Sequence, residues 1–217
     1  MNCLTKSVLF ARNTFHAMAP GLADGLESAR AAEKYRRAVA QTGFQLPLPQ
    51  FIKRSIIKKM LLELGCRAFV ETGTYLGDTP WALRADLEEI HTIELSAELA
   101  AIARRRFRHY PNIHIVEGDS GEKLLNIVPQ LKQKTLFWLD GHYSAGITAQ
   151  GSVNCPIFAE LKTILTGCQA PWVILIDDAR CFGADKDYPS IPELQTCVSQ
   201  LRPTASFTVE NDIIRIV

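Results

Sequence analysis

The sequence predicts an α/β fold, a doubly wound and mostly parallel sheet with a C-terminal antiparallel hairpin. Three observations carry that expectation. Five short apolar runs (Cys66 to Val70, Ile90 to Leu95, Ile113 to Val116, Thr135 to Leu139 and Trp172 to Ile176) each end in, or just before, an acidic residue. Continuous runs of this length suit strands buried on both faces of a sheet. Helical segments alternate with them, and two β-prone runs, Ser206 to Val209 and Ile213 to Val217, flank Asn211-Asp212 as a hairpin would.

The elements follow in order. Residues 27 to 42, ESARAAEKYRRAVAQT, read as a polar, Ala-rich helix stopped by Gly43 and by the Pro47 and Pro49 break. Residues 1 to 50 therefore form a helical extension, and residues 51 to 217 form the main domain. From Gln50 to Leu64, Ile52, Ile56, Ile57, Met60, Leu61 and Leu64 recur at helical spacing, with lysines and arginine between them as a solvated face and Gly65 as the stop. Thr79 is expected to cap the helix after the first strand, with Pro80 in its first position, and Ser96 to cap the next. The later helices are GEKLLNIV, PIFAELKTIL and PELQTCVSQL. Five strand-to-helix alternations imply right-handed crossovers and a Rossmann-like sheet.

A chain of 217 residues suits one well-buried core with an appendage. Lys plus Arg, 24, nearly cancel Asp plus Glu, 23, so no global field recruits nucleic acid or an anionic membrane. No stretch approaches the roughly 18 apolar residues of a membrane span. The six cysteines form no C-x-x-C pair and no dense framework, which suits reduced thiols in a cytoplasmic protein.

In an open α/β sheet, ligands bind beyond the carboxyl ends of the strands. Beyond the first strand lies Glu71-Thr72-Gly73-Thr74-Tyr75-Leu76-Gly77-Asp78-Thr79. Gly73 permits close backbone approach to a ligand and Gly77 permits close helix packing, though a tight turn would need glycines too. Glu94, followed by Leu95, stands about twenty residues on, where a ribose diol would lie. Gly118, Asp119 and Ser120 can offer an amide, a carboxylate and a hydroxyl to an adenine edge, or cap a helix, or both. Asp140, Asp177 and Asp178 follow the fourth and fifth strands, which are neighbours in the usual order of this fold. Three convergent carboxylates repel one another unless a cation, Mg²⁺ above all, or else Arg180 or a backbone amide, satisfies them. His142, two residues past Asp140, is a candidate general base; Tyr143 is the weaker one.

Taken together these motifs resemble the class I methyltransferases that use S-adenosylmethionine (SAM), and within them the metal-dependent O-methyltransferases of catechol and of macrolide or aminocoumarin sugar type. Glu71-x-Gly73-x-Tyr75-x-Gly77 is similar to the catechol-type cofactor loop, and Thr92-Ile93-Glu94 to the family's ribose-binding strand end. The resemblance implies Mg²⁺ ligands at Asp140, Asp177 and Asp178 and a base at His142, where sugar-modifying members carry an acidic residue or histidine. The catechol-type lysine is replaced by Tyr143. It further implies a cofactor site comprising Glu71, Gly73, Thr74, Tyr75, Gly77, Thr79, Glu94, Leu95, Gly118, Asp119, Ser120 and Asp140, and a lid or homodimer contact in residues 1 to 50. The expected activity is SAM-dependent, Mg²⁺-dependent O-methylation of a small hydroxylated metabolite, with Asp140 and His142 at the chemistry. The rivals are a metal-independent methyltransferase, a nicotinamide-dependent oxidoreductase and a non-catalytic binding module. The lack of G-x-G-x-x-G and the terminal hairpin count against the oxidoreductase. The loop SAGITAQGSVNCP, residues 144 to 156, is expected to shape the acceptor pocket.

Overall fold

The computed structural model describes residues 33, 37, 47–140, 156–184 and 188–217. The chain divides into two compact units, Met1–Ile56 and Ile57–Val217. In the first, Glu33 and Arg37 are helical and form an i,i+4 ion pair at 2.7 Å. The rest of the helix expected over residues 27 to 42, and the lid or dimer contact expected of residues 1 to 50, lie outside the described residues.

The helix expected between Gln50 and Leu64 is α1, Gln50–Glu63, and the unit boundary falls within it. It ends as its sequence requires: Gly65 takes φ 65°, and the Cys66 N–H reaches back to the Leu61 carbonyl at 2.9 Å. That left-handed residue and its long-range bond close the last turn.

The second unit is built on a seven-stranded sheet in the order β3-β2-β1-β4-β5-β7-β6. Its strands are β1 Ala68–Thr72, β2 Glu89–Glu94, β3 Ile113–Glu117, β4 Thr135–Leu139, β5 Trp172–Ile176, β6 Phe207–Glu210 and β7 Ile213–Ile216. The first five are parallel, and β7 runs antiparallel to both β5 and β6. All five residues of β1 and of β4 are buried, the signature of central strands covered on both faces. Glu210 pairs with Ile213, and the two residues between, Asn211 and Asp212, have φ 54° and 58°. A two-residue turn with both centres left-handed matches the strand twist, and Asn and Asp tolerate that conformation better than most side chains.

Between the strands lie α2 Asp78–Leu83, α3 Ala97–Arg106, α4 Ser120–Ile127, α5 Ile157–Gly167 and α6 Ile191–Leu201. Val70, Phe137, Leu161, Ile164 and Ile174, all with no exposure, sit in one continuous core. Ser96 caps α3, and Ser190 with Glu193 forms a full capping box on α6. The expectation at α2 is corrected. Thr79 is not the cap: the helix starts at Asp78 after Gly77 at φ 75°, without a side-chain cap, and Pro80 occupies the third position. Proline is tolerated there because the first four N–H groups of a helix have no internal partner. A Cβ on Gly77 would lie 2.7 Å from the Phe107 ring, so glycine serves both the left-handed turn and the packing against α3. Two of the arginines at the end of α3 pair within the fold, Arg104 with Glu117 at 2.9 Å and Arg106 with Asp78 at 3.0 Å.

Among the described residues no helix is long and apolar enough to cross a membrane. Cys66 and Cys168 are buried thiols, pushed above their usual pKa first by burial.

Candidate functional site

Parallel register brings the carboxyl ends of five strands to one rim. Thr72 pairs with Ile93 and with Leu139, Glu94 with Glu117, and Leu139 with Ile176. The strand order reverses direction around β1 and β4, the topological position at which open α/β sheets bind ligands.

The loop after β1 is held to the end of β2. Gly73 and Thr74 both donate to the Ile93 carbonyl, at 2.9 and 3.2 Å, and the Tyr75 N–H donates to Glu94 Oε2 at 2.8 Å. The Ser96 N–H donates to Glu94 Oε1 at 2.9 Å, so each carboxylate oxygen is fixed by a backbone amide. Gly73, at φ 89°, is exposed, which leaves an open backbone surface for a ligand. Tyr75, at φ 47°, is held left-handed without being glycine, and its side chain is 46% exposed. The bond to Glu94 accounts for a conformation that costs a bulky residue energy. Leu95 follows Glu94, whose carboxyl is raised by burial and lowered by the amides of Ser96, Tyr75 and Leu95.

Glu71 lies beneath this loop, 2% exposed, accepting from the Thr92 hydroxyl at 2.6 Å. Thr92 in turn bonds Thr74. Burial pushes the Glu71 carboxyl up to about 8, the Thr92 bond opposes that, and Glu94 and Asp78 reinforce it. The folded chain therefore retains a proton that the unfolded chain loses near 4.5. Stability from this proton is complete below that value and is lost as the pH rises toward about 8, at up to roughly 1.4 kcal/mol per pH unit. Urea unfolding of Glu71→Gln across that range should show a slope shallower by about one proton; an unchanged slope would place the titration elsewhere.

After β3, Gly118 donates to the Glu94 carbonyl at 2.9 Å, and Asp119 caps α4 by accepting from the Gly121 N–H at 2.9 Å. Ser120 is the first residue of α4 and bonds the carboxyl of Glu160. Glu160 was hidden from sequence reasoning because it reads as part of an ordinary amphipathic helix. The signal available was an acidic residue on the stripe of Ile157, Leu161 and Ile164. It is 2% exposed, its Oε1 has no hydrogen-bond partner, and burial, opposed by Ser120 and Thr72, pushes its carboxyl up to about 7.

Thr72 connects this region to the next. The Asp140 N–H meets both the Thr72 carbonyl, at 3.3 Å, and its hydroxyl, at 3.2 Å. The Asp177 N–H meets the Leu139 carbonyl at 3.1 Å. Asp140, Asp177 and Asp178 consequently gather, with carboxylate oxygens within 4.8 Å of one another. Asp177 accepts from the Asp178 N–H at 2.8 Å, and Arg180 donates to Asp178 at 2.8 Å and also to Asp212. Asp212 reads in the sequence only as a residue of the β6–β7 turn; its place beside Arg180 becomes evident only once β7 lies beside β5. It further accepts from the Arg180 N–H at 2.8 Å and gives its carbonyl to Ala179 at 2.9 Å, so the hairpin braces the loop carrying Asp177 and Asp178. His142, Tyr143 and the expected acceptor loop up to residue 155 lie outside the described residues.

Five parallel strands, with an antiparallel β7 inserted between β5 and β6, decide the architecture. The fold is that of the class I methyltransferases. Solved structures with this fold include an O-methyltransferase from Bacillus cereus in complex with SAH, 16% identical with a TM-score of 0.55 over 87% of this chain and 90% of that one. The O-methyltransferase TomG from Streptomyces achromogenes, involved in tomaymycin synthesis and in complex with SAM, is 16% identical with a TM-score of 0.54 over 86% and 87%. In sequence, a protein-L-isoaspartate O-methyltransferase of Koribacter versatilis (strain Ellin345) is 36% identical over 98 residues. That match covers 42% of this chain and spans only 44% of the relative. No family model matches the chain.

Proposed function

We propose that the chain is a SAM-dependent methyltransferase that O-methylates a small hydroxylated metabolite with the help of Mg²⁺. The observation that carries this reading is the continuity of the rim: the Glu94-anchored loop and the aspartate trio meet through the bonds of Thr72 to Asp140. Similarity to O-methyltransferases solved with SAM or its product SAH supports the cofactor.

In this reading the exposed Gly73 backbone lies against the amino-acid part of SAM, Glu94 accepts from the ribose hydroxyls, and Gly118, Asp119 and Ser120 meet the adenine edge. Thr74, Tyr75 and Gly77 set the loop's shape, while Thr79 and Leu95 flank it. Transfer is an in-line displacement at a sulfonium methyl, so the protein contributes position and charge. Asp140, Asp177 and Asp178 would hold the cation, and the donor set fits: three carboxylate oxygens without thiolate or imidazole suit a hard dication. When bound, such an ion lowers the pKa of an acceptor hydroxyl. Arg180 holds Asp178 in place through its simultaneous bond to Asp212. His142 is positioned in sequence to take the acceptor's proton.

The Arg180–Asp178 ion pair favours one alternative, a metal-independent methyltransferase in which the aspartates only orient the acceptor. Transfer of a labelled methyl group from SAM to acceptors with adjacent hydroxyls, with and without chelator, tests the proposal. Transfer that stops on chelation and returns with Mg²⁺ supports it. Undiminished transfer supports the alternative, and binding of SAM without transfer to any acceptor reduces the chain to a binding module.

A further inference from the structure

A second group of titratable side chains lies toward the amino ends of β2 and β3, away from the rim at their carboxyl ends. We infer that Glu89, His91 and His114 form a binding site for a borderline-soft divalent cation, for which Zn²⁺ is the best match. His91 and His114 are direct partners in the parallel register of β2 and β3. Glu89 precedes His91 by two residues, and the pleat therefore puts both on one face of the strand. One ligand atom from each of the three side chains lies within 4.8 Å of the other two. The imidazole rings stack with centroids 4.8 Å apart and 28° between their planes.

The contact already present resembles the edge of a coordination polyhedron. His91 Nε2 and Glu89 Oε1 are 2.8 Å apart. Zinc bonds nitrogen and carboxylate oxygen at about 2.0–2.2 Å in a tetrahedral arrangement, which places neighbouring ligand atoms about 3.3 Å apart. An ion entering here takes the place of the proton between Nε2 and Oε1, that proton moves to Nδ1 so that the ring stays neutral, and the pair opens by about half an ångström. His114 is exposed and Glu89 half-buried, so both can rotate to close the third side. Two imidazoles and one carboxylate leave one tetrahedral position to water.

This site differs from the aspartate trio in chemistry and in place. Nitrogen ligands select zinc-like ions, whereas three carboxylates select Mg²⁺ or Ca²⁺. His91 stands three residues before Glu94, roughly 10 Å along the strand. A bound ion would fasten the edge strand β3 to β2, and its primary effect is on stability.

Calorimetric titration of the 217-residue chain with Zn²⁺, in a large excess of Mg²⁺ to occupy oxygen sites, tests the inference. Wild type and Asp177→Asn should each bind one Zn²⁺ at this site. His114→Ala, which alters an exposed side chain, should weaken that binding by at least about 100-fold, and Glu89→Gln should weaken it too. Zn²⁺ should raise the melting temperature of wild type and not of His114→Ala. Zn²⁺ binding or thermal stabilisation that survives His114→Ala and Glu89→Gln, as cysteine ligation would, overturns the site. Its loss in Asp177→Asn alone would assign the ion to the aspartates and equally overturn it.

Discussion

Replacing Glu94 by alanine is expected to weaken SAM binding by about 100-fold, as measured by calorimetry. Two hydrogen bonds from a ribose diol to a carboxylate are worth about 1.5–3 kcal/mol each, and part of that is recovered by water once the side chain is gone. A second loss adds to it. Glu94 also accepts from the N–H groups of Tyr75 and Ser96, so its removal releases the loop after β1, the proposed bed of the cofactor, and leaves Tyr75 at φ 47° without its restraint. Glu94→Gln keeps the size but turns an amide N–H₂ toward one of those two donors, so it should fall between wild type and alanine. Unchanged SAM affinity in both variants would remove Glu94 from the cofactor site.

The second large effect is expected at Asp177, which is 3% exposed and central to the trio. Asp177→Asn preserves shape and can still accept from the Asp178 N–H while one negative charge is withdrawn. Under the proposed reading, methyl transfer should fall by about 1,000-fold, the equivalent of roughly 4 kcal/mol of lost charge stabilisation at the acceptor oxygen. The residual rate should no longer respond to Mg²⁺. Thermal stability should hold or rise, because withdrawing one of three adjacent carboxylates relieves repulsion. That combination separates a functional loss from a folding defect. An Asp177→Asn enzyme that still answers to Mg²⁺ with the wild-type rate would exclude this carboxylate as a ligand.

Much of the sheet was legible because its strands announce themselves. Thr135 to Leu139 and Trp172 to Ile176 are strands over the expected residues, since uninterrupted burial on both faces leaves little freedom for polar residues within them. The Asn211-Asp212 turn was legible for a local reason, its demand for two left-handed residues. Boundaries set by tertiary bonds were less visible. β1 begins at Ala68 rather than Cys66 and includes Glu71 and Thr72, because its pairing with β2 and β4 continues past the apolar run. The start of α2 was misplaced at Thr79 because the rule that prefers Thr as a cap ignores the demand of Phe107, which keeps Gly77 free of a Cβ.

At the rim, Glu94 and the aspartates were legible as charges at the ends of apolar runs, where sheet geometry leaves few places for them to go. Their supports were not. Asp212 and Glu160 act across 32 and 40 residues of sequence, on Arg180 and Ser120 respectively, and only the β5–β7 pairing and the packing of α5 beside α4 bring them near. The Glu89, His91 and His114 group was missed for a similar reason: period-two spacing explains Glu89 and His91, but the parallel register alone supplies His114.

The most direct measurement of the central claim, that the strand-end rim is a SAM site, is a thermal-shift comparison of SAM, SAH and NAD, each with and without Mg²⁺. The account predicts stabilisation by SAM and by SAH, about 2.7 kcal/mol when ligand reaches 100 times its Kd, and none by NAD. Stabilisation by NAD without any response to SAM or SAH would contradict it.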